Sequence, residues 1–227
     1  MKKIFIIIPV VFVAALAVGV GLQVLLSPEY NNQDKEQPGE PVVTYHEAGS
    51  DQKQGPDGAP LYNWMDHPVF VIGDSLTKGA KSEIEKAVSG VKVDAQEGRN
   101  MTAGLAILKD WNSSGILPDD AIIVINLAHN ITPATVQDAE EIVGLIRSGQ
   151  SLIMMTGHGN SNMDPINEYI RSLPKTYSFI TAADWDQTIV QSPRLLADDG
   201  IHIRYKQGNE LYADLILKAL KVTQPKP

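Results

Sequence analysis

The chain of 227 residues contains no cysteine, which removes thiol nucleophiles, disulfide frameworks, cysteine-based zinc sites and a lipoprotein anchor from consideration. Basic charge is also in short supply: 19 Lys and Arg stand against 27 Asp and Glu, for a formal net charge of -8. A surface that tracks phosphates needs clustered cations, so this balance argues against nucleic acid or anionic lipid as the main partner. There is no internal repeat and no low-complexity tract.

Several motifs are incomplete. Gly73 and Gly79 are separated by five residues and followed by Ala80-Lys81, where a phosphate loop needs Lys and then Ser or Thr. Gly157-His158-Gly159 lacks the third glycine of a dinucleotide fingerprint and suits a plain loop or a pocket lining. His129 and His158 have no partner at short metal-ligand spacing, so a structural or substrate-contacting role fits them better. Asp184 and Asp186 lack a second acidic cluster at another strand end, which the paired carboxyls of a glycosidase require. Trp111 and Trp185 suit packing better than a sugar platform, although Trp185, read as part of the loop before Asp199, fits either. Neither a metal nor a cofactor is expected.

What is present begins with Lys2 and Lys3 before an uncharged run from Ile4 to Leu26. Such a run can span a bilayer core of ~30 Å as a helix, and the flanking charges favour a cytoplasmic amino end with the remainder exported. Residues 1–26 are therefore expected to be a signal-anchor, giving a single-pass membrane protein with an extracytoplasmic domain. The alternative is a signal peptide cleaved near Ala15-Leu16-Ala17, giving a secreted product. Residues 27–67 are expected to be a flexible extracytoplasmic linker. Positions 27–62 hold five prolines and seven acidic against two basic residues. As a coil they would reach roughly 30–35 Å.

From residue 68 the pattern changes. Val69-Phe70-Val71-Ile72 reads as a buried strand, followed by Gly73-Asp74-Ser75 and a helical stripe of Leu76, Ala80, Ile84, Ala87 and Val88. Further strands are expected at Val91–Ala95, Ala121–Leu127, Ser151–Met155 and Tyr177–Thr181. Helical faces lie between them at Met101-Leu105-Leu108-Trp111, Val136-Ala139-Ile142-Val143-Ile146 and Ile166-Tyr169-Ile170-Leu173, with a last one at Leu211-Leu215-Ile216-Ala219-Leu220. Alternating strands and helices predict an α/β domain over 68–222, a three-layer α/β/α sandwich on a five-stranded parallel sheet, with 223–227 as a tail. Ligands of such sheets bind beyond the carboxyl ends of the strands, where Ser75, Gly98, Asn130 and the Gly157 loop would gather.

Ser75 would sit where unpaired N–H groups and the positive end of a helix converge, a place that stabilises an anion. The competing role there is helix capping by Asp74 or Ser75. A serine hydroxyl needs a base. His202 follows Asp199 across a glycine, so a tight turn can bring carboxylate to imidazole; His129 and His158 remain geometrically possible.

Gly73-Asp74-Ser75-Leu76, Gly98, Asn130 and Asp199-x-x-His202 resemble the four blocks of the SGNH, or GDSL, hydrolase superfamily, whose fold is flavodoxin-like. Val71-Ile72-Gly73-Asp74-Ser75 with Gly79-Ala80, Val93-Asp94-Ala95 to Gly98-Arg99-Asn100, and Asp199-Gly200-Ile201-His202 resemble the extracellular catalytic domain of peptidoglycan O-acetyltransferases. The resemblance implies Ser75 as nucleophile, His202 as base and then acid, and Asp199 as its orienting carboxylate. It implies an oxyanion hole from the Ser75 and Gly98 backbone N–H groups and the Asn130 side chain.

Two departures stand out: Ala128 occupies a position usually glycine in these relatives, and His129 one where a small polar residue is common. Those acetyltransferases also carry a many-helix membrane domain, whereas this chain offers one candidate span, residues 4–26. The expected substrates are an acyl-ester donor and an envelope glycan, with acetyl groups delivered by a separate membrane protein. If water is the acceptor, the chain is an envelope esterase. A further alternative is an anchored binding module that has lost turnover.

Overall fold

A computed structural model describes residues 38–46 and 62–227. The central strands are β2 (Val69–Gly73), β4 (Ile122–Asn126), β5 (Ser151–Met155) and β6 (Ile180–Ala183), and every residue in them is buried. Burial on both faces explains why they read as nearly unbroken apolar runs. Before β2 lies the short β1 (Val43–Thr44), and β3 (Lys92–Ala95) forms the opposite, more exposed edge. The sheet order is β1-β6-β5-β4-β2-β3.

Residue parity divides the core into two layers. Phe70, Ile72, Ile123, Ile125, Leu152 and Met154 face α2 (Met101–Ser113), α3 (Thr135–Leu145) and α4 (Asp164–Thr176). Val69, Val71, Ile122, Val124, Ile153 and Met155 face α1 (Ser75–Ala87), α5 (Trp185–Ile189) and α6 (Lys206–Leu220). Alternate side chains of a strand point to opposite faces, so each strand supplies both layers.

The chain leaves β2 for β3 on one side and returns to β4 on the other. This reversal places a crevice at the carboxyl end of β2, where ligands of open α/β sheets bind.

Five expectations need correction. The sheet is six-stranded and mixed, because β1 pairs antiparallel with β6 through Val43↔Ala183 and Thr44↔Ala182. The flexible linker expected over 27–67 therefore does not describe residues 38–46. Gly39 N–H donates to Ser192 Oγ at 2.8 Å, Val42 N–H to Thr188 Oγ1 at 2.9 Å, and Lys218 Nζ to the Pro41 carbonyl at 2.6 Å. These contacts come from distant residues, so composition gave no sign of them.

The strand expected at Tyr177–Thr181 lies at Ile180–Ala183, because Ile180 N–H closes a turn onto the Tyr177 carbonyl. Trp185 lies in α5 rather than in a loop; it is fully buried and meets Tyr212 edge-on. The 223–227 tail is stitched down, with Gly149 N–H donating to the Lys226 carbonyl and Lys226 N–H to the Gln150 carbonyl. Residues 1–26 and the linker positions 27–37 and 47–61 lie outside the described residues. Among the described residues no helix is long and apolar enough to cross a membrane.

Candidate active site

The corner after β2 is tight. A Cβ on Gly73 would lie 2.1 Å from Thr77 Oγ1 and 2.3 Å from Thr77 Cβ, so only glycine lets the strand pass this close to the first turn of α1. Asp74 is fully buried and caps the helix, accepting the Leu76 N–H at 3.0 Å. Capping thus falls to Asp74, which leaves Ser75 to point elsewhere. Ser75 is the first residue of α1, in the turn whose N–H groups have no intrahelical acceptor.

Ser75 Oγ lies 3.0 Å from His202 Nε2, and His202 Nδ1 lies 2.7 Å from Asp199 Oδ2. The loop that carries both residues closes like a hairpin. Leu196 bridges Ile203, Ala197 N–H donates to the His202 carbonyl at 2.7 Å, and Gly200 has a φ of 68°.

Asp199 Oδ1 accepts the backbone N–H groups of Ile201 at 2.9 Å and His202 at 3.0 Å. The bond from Ile201, then the His202 ring and its backbone N–H, lower the Asp199 pKa from 3.8 to about 2. An ionised carboxylate only accepts, so Nδ1 carries the proton and the Nε2 lone pair faces the serine hydroxyl. Ser75, His202 and Asp199 thus form one hydrogen-bonded chain in an acid-base sense suited to nucleophilic attack.

The other two strand-end blocks flank this corner. Gly98 sits in a turn after β3 with φ of 70°, a left-handed conformation that favours glycine, and Arg99 N–H closes the turn onto the Gln96 carbonyl at 3.3 Å. Asn130, after β4, donates through Nδ2 to the Arg99 carbonyl at 3.0 Å, which ties the two blocks together. Lys78 on α1 pairs with Glu97 at 2.9 Å, and that bond, with a smaller effect from His202, lowers the Glu97 pKa.

The other histidines are engaged elsewhere. His129 Nδ1 lies 3.0 Å from Asp74 Oδ2, while its Nε2 accepts the His158 backbone N–H at 3.2 Å. That acceptor role fixes the Nδ1–H tautomer, so His129 donates to the buried carboxylate. His158 Nδ1 contacts Asp186 Oδ1 at 2.8 Å. Burial opposes ionisation of Asp186, but His158 and Arg171 outweigh it and its pKa falls. Asp184 and Asp186 both bind Arg171, at 2.6 and 2.7 Å, so they form an ion-paired cluster rather than two carboxyls across a cleft.

Sequence reasoning did not assign partners to Asp74, His129 or Arg99, or identify the buried contact of Asn126 with Thr77 and Tyr212. A polar residue closing the apolar run of β4 was the one visible signal for Asn126. Among the described residues no group of three His, Asp or Glu side chains is arranged to hold a metal ion.

Comparison with known proteins finds relatives of the chain and of its fold. The C-terminal catalytic domain of Streptococcus pneumoniae peptidoglycan O-acetyltransferase A, solved with a methylsulfonyl adduct, superposes with a TM-score of 0.65 at 26% identity. The match covers 71% of this chain and 96% of that domain. This chain is similar to a peptidoglycan O-acetyltransferase catalytic domain.

The fold is also shared with a lipolytic G-D-S-L family protein from Veillonella parvula, which superposes with a TM-score of 0.57 at 12% identity, covering 68% of this chain and 98% of that one. In sequence, the Bacillus subtilis protein named Putative peptidoglycan O-acetyltransferase YrhL is 26% identical over 153 residues, covering 67% of this chain and 24% of the relative. Putative O-acetyltransferase SAS0844 of Staphylococcus aureus is 24% identical over 181 residues, covering 80% of this chain and 29% of the relative. The chain thus spans about a quarter of the length of the curated relatives it matches. No family model matches it.

Proposed function

We propose that this chain is an extracytoplasmic serine acyltransferase that moves O-acetyl groups onto peptidoglycan or another envelope glycan through an acyl-serine intermediate. The observation that carries the proposal is the unbroken chain from Asp199 through His202 to Ser75, at 2.7 and 3.0 Å.

Ser75 Oγ attacks the ester carbonyl as its proton passes to His202 Nε2. The oxyanion is held by the Ser75 and Gly98 backbone N–H groups and the Asn130 side chain. Collapse returns the proton to the departing alcohol and leaves the acyl group on Ser75. A sugar hydroxyl, deprotonated by the same imidazole, then attacks the acyl carbon and frees the serine.

The similarity to O-acetyltransferase domains supports acetyl as the acyl group. The apolar run at residues 4–26 supports a membrane tether, with a separate membrane protein supplying acetyl groups to an outward-facing domain.

A second reading, hydrolysis, is favoured by one observation. The side chains of His202 and Asp199 are 51% and 49% exposed, so water reaches the imidazole freely. Incubating the full chain with an acetyl-ester donor and cell-wall oligosaccharides, followed by mass spectrometry of the sugars, separates the two. Transfer predicts an added acetyl on the oligosaccharide that is lost in Ser75→Ala. Free acetate alone would assign the chain as an esterase.

A further inference from the structure

The side chain of Arg99 is 6% exposed, beneath the three blocks that surround Ser75. Its Nη1 donates to the Asp94 carbonyl at 2.7 Å and the Gly73 carbonyl at 3.2 Å, and its Nη2 to Asp94 Oδ1 at 2.7 Å. The Gly73 carbonyl also accepts the Gln96 N–H at 3.2 Å. The backbone of Arg99 closes the Gly98 turn, and its carbonyl receives Asn130 Nδ2 at 3.0 Å.

One residue is therefore bonded to the end of the strand that delivers Ser75, to the turn that carries Gly98, and to the Asn130 amide. These segments supply the three donors assigned above to the oxyanion hole. A planar guanidinium satisfies several acceptors in fixed directions, which a lysine ammonium does not reproduce.

We propose that Arg99 is the positioning residue of the oxyanion hole: it fixes the spacing of the Ser75, Gly98 and Asn130 donors without touching substrate. This inference rests on the reading of the site given above. Hydrogen-bond donors stabilise an oxyanion only when they are held where the charge develops, so a small displacement weakens the transition state more than substrate binding.

The test is a double-mutant cycle on the full chain with an acetyl-ester substrate. Arg99→Lys should lower kcat by about 10- to 100-fold, a part of the loss typical of a missing oxyanion donor, with KM within about twofold. In an Asn130→Ala background the same substitution should cost at least about threefold less than in the wild-type background, because Asn130, held on the Arg99 carbonyl, is one of the three donors it positions. An equal loss in both backgrounds would assign Arg99 a general folding role and overturn the inference, as would an unchanged kcat.

If Arg99→Lys does not fold, Asp94→Asn decides, since it loosens the same guanidinium and leaves both carbonyl contacts. A fall of about threefold that is smaller in Asn130→Ala supports the inference, and a wild-type kcat refutes it. Ser75→Ala separates the two levels: if it keeps full turnover, the site reading itself is wrong, whatever Arg99 does.

Discussion

Replacing Asp199 with asparagine tests the orientation of the imidazole. Oδ1 of Asp199 is held by two backbone donors, the N–H groups of Ile201 and His202, while Oδ2 faces His202 Nδ1. An asparagine must therefore keep its carbonyl oxygen on the backbone side, because an amide NH2 there would meet two N–H groups. Its NH2 then faces Nδ1, which must accept, and the imidazole proton moves to Nε2. In that tautomer His202 can only donate toward Ser75, and the serine has no base.

Inverting a catalytic imidazole in this way costs on the order of 10⁴ in kcat. That corresponds to about 5 kcal/mol of barrier. Both side chains are about half exposed, so folding stability should change by less than about 1 kcal/mol. Steady-state ester hydrolysis by the full chain, with thermal melts as the control for folding, reads both quantities. A kcat within tenfold of wild type would refute the tautomer argument and place the base elsewhere.

Three other outcomes follow from the same contacts. Gly73→Ala should destabilise the fold by about 1–3 kcal/mol, because Thr77 Cβ, 2.3 Å from the new methyl, is fixed to the backbone and no rotamer change relieves the clash; an unchanged melting temperature would contradict the packing. Tyr212→Phe removes a fully buried hydroxyl bonded to Thr77 Oγ1 at 2.9 Å and should cost about 1–2 kcal/mol in denaturant unfolding, whereas an unaltered midpoint would mean the hydroxyl is idle. Because the Asp199 pKa is lowered on folding, the stability it contributes is complete above its ordinary 3.8 and is lost as pH falls through about 2. A carboxyl-carbon titration by NMR should therefore show a midpoint near 2, and a midpoint at or above 3.8 would mean the backbone bonds do not form.

The legible parts of the molecule were those written in local pattern. β2, β4 and β5 are buried on both faces, so apolar runs marked them directly. Ser75 and Asp199-x-x-His202 stood out because each lies in a short polar turn between such runs. β1 escaped notice because two residues carry no period, and its pairing depends on β6, more than a hundred residues away. The last strand was placed too early because Tyr177 and Phe179 look like strand residues but sit in a turn, their rings 5.5 Å apart. The contact of His129 with Asp74 and the three bonds of the Arg99 guanidinium follow from the register of neighbouring strands, such as Gly73↔Ala95, which no single segment encodes.

The most direct test of the account is covalent trapping of the nucleophile. Intact-mass spectrometry of the full chain after treatment with a fluorophosphonate should show one adduct mapped to Ser75. Labelling should be absent in Ser75→Ala and strongly slowed in His202→Ala. A folded wild-type chain that takes no label, or a Ser75→Ala chain that labels as fast as wild type, would contradict the claim that His202 and Asp199 activate this serine.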